Sequence, residues 1–253
     1  MNARLEVTTP AINPASGTEV FALNAEQAIG QIAVKLPGAT AIFRRLKLDF
    51  CCGGQISLKQ AALDKGLDLE AVVRELSALQ FTPQLPAHAD ASALVDHILT
   101  RYHEVHRKQL PELIRMARRV EAVHRDHPDV PVGLAELLEG MEAELLSHMQ
   151  KEETVLFPAF KAGGNAFVSQ PIAMMRSEHV DHGAQLDKLL QLTHDATPPA
   201  GACNTWQALY AGISQLNDDL INHIHLENNV LFTQFEASTA ATTGCASGGC
   251  GCN

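Results

Sequence analysis

The sequence is short of basic charge. Its 19 lysines and arginines are outnumbered by 29 acidic residues, a formal net charge of −10, which excludes a role built on electrostatic attraction to nucleic acid or to an anionic membrane surface. Long apolar runs are also missing. No stretch approaches the roughly 18 uninterrupted apolar residues of a membrane span, and the N-terminal MNARLEVTTPAINP lacks the apolar core of a secretory signal, so a cytoplasmic protein is expected. Segments of period-two alternation are scarce, which argues against a sheet protein. The six cysteines do not form a spread framework: Cys51 and Cys52 are adjacent, Cys203 stands alone, and Cys245, Cys250 and Cys252 crowd the C-terminus. That distribution suggests thiol or metal chemistry rather than disulfide stapling.

What is present is helical period. Four amphipathic segments are expected in the second part of the chain: from near Ala91 to His127, with Pro111 as a kink; from about Gly133 to Lys161; from near Pro171 to before TPPAG; and from about Asn204 to Glu236. Short connections favour antiparallel neighbours, giving an up-down-up-down four-helix bundle over 91–237. A smaller helical unit, 24–81, contains AEQAIGQIAVKL, ATAIFRRLKLDF, SLKQAALDKG and DLEAVVRELSAL, and the proline-containing stretch 82–90 reads as a linker. The extension 1–23 and the tail 238–253 are poor in large apolar residues and are expected to be flexible. The fold class is all-α.

Two stretches share a skeleton: HMQKEETVLFPAF from His148 and HIHLENNVLFTQF from His223. In the first, Leu138, Met141, Leu145, His148, Glu152 and Val155 alternate three- and four-residue spacings; in the second, Leu216, Leu220, His223, Glu227 and Val230 do the same. Each places a histidine and a glutamate one turn apart on an apolar stripe. The other two segments carry His103 and His106 between Leu99 and Leu110, and His179 and His182 between Met175 and Leu186. Buried carboxylates need compensation, and lysine and arginine are scarce on these stripes, so a bound cation accounts for the pattern better than a salt bridge does. One histidine from each helix plus two glutamates exceeds the needs of one tetrahedral ion and implies a dinuclear site. Imidazole and carboxylate without thiolate suit iron or manganese, with zinc sharing the same ligands.

These motifs resemble those of the hemerythrin-like di-iron proteins of the repair-of-iron-centres family, also described as the ScdA/YtfE/DnrN group. The resemblance rests on LDFCCGG, TRYHEVHR with LPELI, SHMQKEETVLFP, MRSEHVDHG and DDLINHIHLENNVLF. It implies two non-haem irons per chain, oxo- or carboxylate-bridged, held by His103, His148, Glu152, His179, His223 and Glu227. His106, Glu178 and His182 are expected to stand just behind these ligands. It further implies repair of iron-sulfur proteins damaged by nitric oxide or oxidants, with a monomer or homodimer as the working form. A nitric oxide or dioxygen buffer or sensor, and a di-iron oxidase or nitric oxide reductase, are the alternatives. The tail cysteines, the N-terminal extension and Thr233, where relatives tend to have proline, are departures from the family pattern.

Cys51 and Cys52, followed by Gly53-Gly54 and a helix that Ser57 is expected to cap, read as a redox or metal-relay pair with a lowered thiol pKa. Cys203 is expected to lack an activating neighbour. His88, His97, His124, His127, His194 and His225 are assigned to surface, capping or supporting roles.

Overall fold

A computed structural model describes residues 23–36, 38–79, 90–165 and 167–236. The N-terminal extension, most of the linker, and the tail with Cys245, Cys250 and Cys252 lie outside the described residues, as does His88. Every regular element among the described residues is a helix, apart from a single isolated bridge between Ala28 and Ser57. None of the helices is long and apolar enough to cross a membrane.

The small unit comprises α1 (Ile29–Lys35), α2 (Ala39–Arg45), α3 (Leu58–Asp64) and α4 (Leu69–Ser77). These helices are too short to stand alone and are held by a shared core that includes Ile29, Ile32, Phe43, Phe50, Leu58 and Leu76. Side chains cap two of them: Ser57 Oγ accepts from the Gln60 amide at 3.1 Å, and Asp68 accepts from the Glu70 amide at 3.0 Å.

The bundle is built from four rods. The first joins α5 (Ala91–Ile98), the π-turn π1 (Leu99–His103) and α6 (Glu104–Val123); the second joins α7 (Leu134–Lys151), π2 (Glu152–Leu156) and α8 (Phe157–Lys161). The third is α9 (Ser169–Leu192), and the fourth joins α10 (Asn204–Leu226) to π3 (Glu227–Leu231). Around the bundle α6 packs on α7 and α10, and α9 packs on the same two helices. The first rod ends at Val123, short of the expected His127, because His124 leaves helical geometry at φ −110° and ψ 22°. Pro111 lies within α6 without ending it, and the departure from α-geometry falls upstream at π1.

A π-turn adds one residue to the turn and so shifts the phase of everything after it. This corrects the expected stripe at two places. Val155 is 58% exposed and Leu156 is 2% exposed, so Leu156 replaces it in the core; in the fourth rod Leu231 is likewise fully buried while Val230 is only partly so.

The bundle core is divided. One cluster gathers Leu110, Leu113, Leu138, Met141, Trp206, Tyr210 and Leu216, and the other gathers Leu94, Ile98, Leu156, Phe157, Ile172, Leu231 and Phe232. The inward histidines and glutamates occupy the sequence positions between the two on all four rods. The small unit docks on the last rod, where Arg44 pairs with Asp218 at 3.2 Å and Ile221 packs against the small core. This contact is very close: a Cβ on Gly54 would lie 2.4 Å from the Phe50 carbonyl oxygen and 3.1 Å from Asn229 Oδ1, and one on Gly30 would lie 2.5 Å from the same Asn229 oxygen. Gly54 is therefore required by close approach, and the Gly53-Gly54 turn is a packed one.

Helical glycines give a direct test of this packing. Gly212 in α10 faces Leu113, whose Cδ2 would be 2.6 Å from an added Cβ, whereas Gly140 in α7 faces open space. Gly212→Ala should lower the unfolding free energy by about 1–3 kcal/mol through overpacking. Gly140→Ala should raise it by about 0.5–1 kcal/mol through helix propensity. Urea unfolding midpoints of the two variants measure both.

Candidate metal centre

Six side chains converge between the two apolar clusters. They form two overlapping sets, His103–His223–Glu152–Glu227 and His148–His179–Glu152–Glu227, with both glutamates common to each. Glu152 directs Oε2 to His103 Nε2 at 3.3 Å and Oε1 to His148 Nε2 at 3.4 Å. Glu227 directs Oε1 to His223 Nε2 at 3.1 Å and Oε2 to His179 Nε2 at 3.1 Å. Each carboxylate thus spans the sets, one oxygen to each. Within a set the imidazoles also meet through Nε2, His103 to His223 at 3.2 Å and His148 to His179 at 3.1 Å. Donor atoms about 2.1 Å from a shared ion, at angles between 90° and tetrahedral, are separated by about 3.0–3.4 Å. The observed spacings have this value.

The electrostatics lead to the same fit. Both glutamates are fully buried, and both oxygens of Glu152, with Oε2 of Glu227, have no hydrogen-bond donor. Burial and the second carboxylate oppose the charge on Glu152, yet His148 and His103 outweigh them and hold its pKa below the ordinary range. Burial also resists protonation of His148, but Glu152 and Glu227 with Glu178 prevail and raise it to about 9. On His223 burial and the charge of His103 win, and its pKa falls well below the usual imidazole value. Without an ion, six groups must divide protons among themselves to neutralise two carboxylates. Two divalent cations would supply that charge at the points where the donor atoms already converge, as a di-metal site requires.

Behind the ligands the sequence repeat finds its purpose. The residue after each glutamate reaches across to a histidine on a neighbouring rod: Glu153 Oε1 accepts from His103 Nδ1 at 2.7 Å, and Asn228 Oδ1 accepts from His179 Nδ1 at 2.9 Å. The repeated phenylalanine then covers the same ring, Phe157 over His103 at 5.5 Å and Phe232 over His179 at 6.0 Å. Glu178 Oε2 accepts from His148 Nδ1 at 2.8 Å and is itself paired with Lys151. Such acceptors at Nδ1 orient three of the four imidazoles so that Nε2 faces the centre. Glu153 and Asn228 were not anticipated, because pairs between rods leave no spacing in the sequence.

His106 and His182 are buried beside this layer but belong to neither donor set. His106 packs against the ring of His223 at 5.5 Å with both nitrogens unpartnered, and His182 meets His148 edge-on at 5.0 Å. Burial, with the charge of neighbouring imidazoles, lowers their pKa values to about 3 and about 4. They are neutral walls of the site. His225 points to the small unit, with Nδ1 3.4 Å from the Phe50 carbonyl oxygen, while His97 lies against Tyr102.

The thiol loop sits against the centre. Cys52 Sγ donates to the His179 carbonyl at 3.4 Å, and Asn228 Nδ2 donates to the Cys51 carbonyl at 3.1 Å, so the residue that orients His179 also holds the loop. The expected activation of Cys51 is not found. The adjoining Cys52 thiol, burial and the Asp49 carboxylate raise its pKa far above the ordinary value, and the helix that Ser57 caps begins several residues downstream. Conversely Cys203, thought to lack a partner, has His124 Nε2 at 3.1 Å and lines a cleft of about 370 Å³ with Arg119, Val120, Val123, His124, Asn204 and Thr205.

Comparison with known proteins agrees with this geometry. A model of the hemerythrin HHE cation binding domain matches residues 94–235, and a model of the ScdA_N domain, of unknown function, matches residues 25–80. The iron-sulfur cluster repair protein YtfE of Cronobacter sakazakii is 49% identical over 209 residues, covering 82% of this chain and 95% of the relative. That of Dickeya chrysanthemi is 46% identical over 210 residues, with 82% and 95% covered. A probable iron-sulfur cluster repair protein of Haemophilus influenzae is 46% identical over 213 residues, with 82% and 96% covered.

The thiol environments predict an order of reactivity. In metal-free protein at neutral pH, Cys203, which lines an open cleft, should be alkylated faster than Cys51, which its neighbours hold protonated. Peptide-level mapping of labelling rates gives the order; a faster Cys51 would show that its carboxylate neighbour does not control it.

Proposed function

Given that the chain belongs to the ScdA/YtfE family of hemerythrin-domain iron-sulfur cluster repair proteins, we propose that it restores damaged clusters by holding two irons in the bundle and donating iron to the damaged protein. The division into a thiol-bearing unit, 24–81, and a metal-holding bundle, 91–237, is part of this reading. The six ligands are His103, His148, Glu152, His179, His223 and Glu227, with the two glutamates bridging. The observation that carries it is the reach of each buried carboxylate to one histidine in each donor set. Imidazole and carboxylate donors without sulfur suit iron, and the ions serve as cargo as well as cofactor.

The chain's own groups define how cargo is kept. Glu153, Glu178 and Asn228 fix three imidazoles from behind, so release requires displacement of ligands that are individually oriented. Each ion would receive two imidazoles and one oxygen from each of two carboxylates, which leaves coordination positions open for a small exogenous ligand. Nitric oxide or dioxygen binding is the second reading, favoured by the unpartnered His106 ring packed against His223. The damaged iron-sulfur protein is the macromolecular partner, and the cytoplasm is the compartment that suits it.

Elemental analysis should find about two irons per chain, and iron should pass from the protein to an apo iron-sulfur protein. One zinc and no iron would refute the assignment. Glu152→Leu and Glu227→Leu should lose iron and transfer activity yet retain helical circular dichroism, because apolar replacement of buried ionic groups is often neutral for folding. Parallel loss of helicity would mean that these glutamates serve the fold first.

A further inference from the structure

Asp49, Cys51 and Cys52 form a third set of donor atoms, all within 4.8 Å of one another, on the face of the small unit that meets the bundle. The two sulfurs are 3.7 Å apart. Two thiolates bound at about 2.3 Å to one tetrahedral ion are separated by about 3.7–3.8 Å. A disulfide is the competing use of adjacent thiols, but consecutive Cα atoms are about 3.8 Å apart, below the roughly 4.4 Å at which disulfides are ordinarily found. The carboxylate is also fixed in place: Asp49 Oδ1 accepts from the Cys52 amide at 2.9 Å, Oδ2 accepts from the Gly53 amide at 2.9 Å, and Oδ1 lies 3.2 Å from Cys51 Sγ. These backbone bonds shape the loop as a three-donor chelate. Asp49 is exposed and the cysteines are half-buried, so the three-donor set is reachable from solvent.

The chelate lies beside one donor set in particular. Cys52 touches the carbonyl of His179, and Asn228 bonds both the His179 ring and the Cys51 carbonyl. No comparable contact joins the loop to His103 or His223 among the described residues.

We propose that Asp49, Cys51 and Cys52 are a second metal site, taking a thiophilic divalent cation such as iron(II) as it passes between the His148–His179 side of the bundle and a cluster protein. This rests on the iron-donation reading. The transfer is ligand exchange without electron transfer. As the ion arrives, Cys51 and Cys52 release their protons to solvent, and bonds to the two sulfurs and to Asp49 form as its bonds to His148, His179, Glu152 and Glu227 break. Incoming cysteines of the cluster protein take the open position, lose their protons, and in turn displace Asp49 and both loop thiolates, and the two thiolates are reprotonated from solvent. The open position gives the recipient access to the ion before the donor lets go.

The test uses the full chain with Cys245, Cys250 and Cys252 replaced by serine, its bundle loaded with iron, titrated with cobalt(II). One equivalent should bind with sulfur-to-cobalt charge-transfer absorption while the iron content stays constant. Cys51→Ser and Cys52→Ser should abolish the absorption, and Asp49→Asn should weaken binding by about tenfold or more. No thiolate absorption, or absorption that survives both serine variants, overturns the site. In the same variants iron transfer to a thiol chelator should slow at least about tenfold with bundle iron intact; an unchanged rate overturns the relay. Bundle iron is measured separately, so its absence would refute the proposed function, whereas its presence without cobalt binding refutes only this inference.

Discussion

Two carboxylates buried in one layer of a helical bundle set the terms for everything around them. Removing an ion from water costs several kcal/mol even after relaxation, and among the described residues Glu152 and Glu227 pair with histidines and with no lysine or arginine. The layer of four imidazoles that surrounds them splits the apolar core into two clusters. It also accounts for the π-turns: π1 ends at His103, π2 begins at Glu152 and π3 begins at Glu227, so each departure from α-geometry adjoins a converging side chain. The extra residue in each turn allows a ligand to be aimed at the centre while the next apolar residue is returned to the core.

The repeat is the trace of this arrangement in the chain. Each copy supplies an imidazole, a carboxylate common to both donor sets, an acceptor for a histidine on another rod, and a phenylalanine that covers that histidine. The copies differ where Glu153 is matched by Asn228, and the difference has a local reason. A carboxylate can only accept, whereas the Asn228 amide accepts from His179 and also donates to the Cys51 carbonyl. The asparagine stands where the small unit must be engaged.

Much of this was legible in the sequence, and the limits are physical. The all-helical fold and its four rods follow from periodicity, and the H-x-x-x-E pairs stand out because polar residues interrupt apolar stripes at helical spacing. The exact stripe was misjudged at Val155 because a π-turn has no distinct residue signature. The roles of Glu153 and Asn228, the meeting of His124 with Cys203, and the need for glycine at 30 and 54 all depend on which rods are neighbours, and spacing along one chain does not encode that. The thiols were misread for a related reason. Proximity to a helix N-terminus is visible in the sequence, but the carboxylate of Asp49 folding back over Cys51 is not.

The small unit is synthesised first, yet most of the residues it grips on the bundle belong to the last rod, Asp218, Ile221, Asn222, His225, Asn228 and Asn229, with the His179 carbonyl and Asp195 as the exceptions. The same rod brings His223 and Glu227, without which neither donor set is complete. On the ribosome, therefore, the thiol loop lacks most of its seat and neither donor set is complete until the final helix has emerged. A nascent chain cannot assemble the metal layer ahead of the docked loop's anchor, because the segment that closes the one also seats the other.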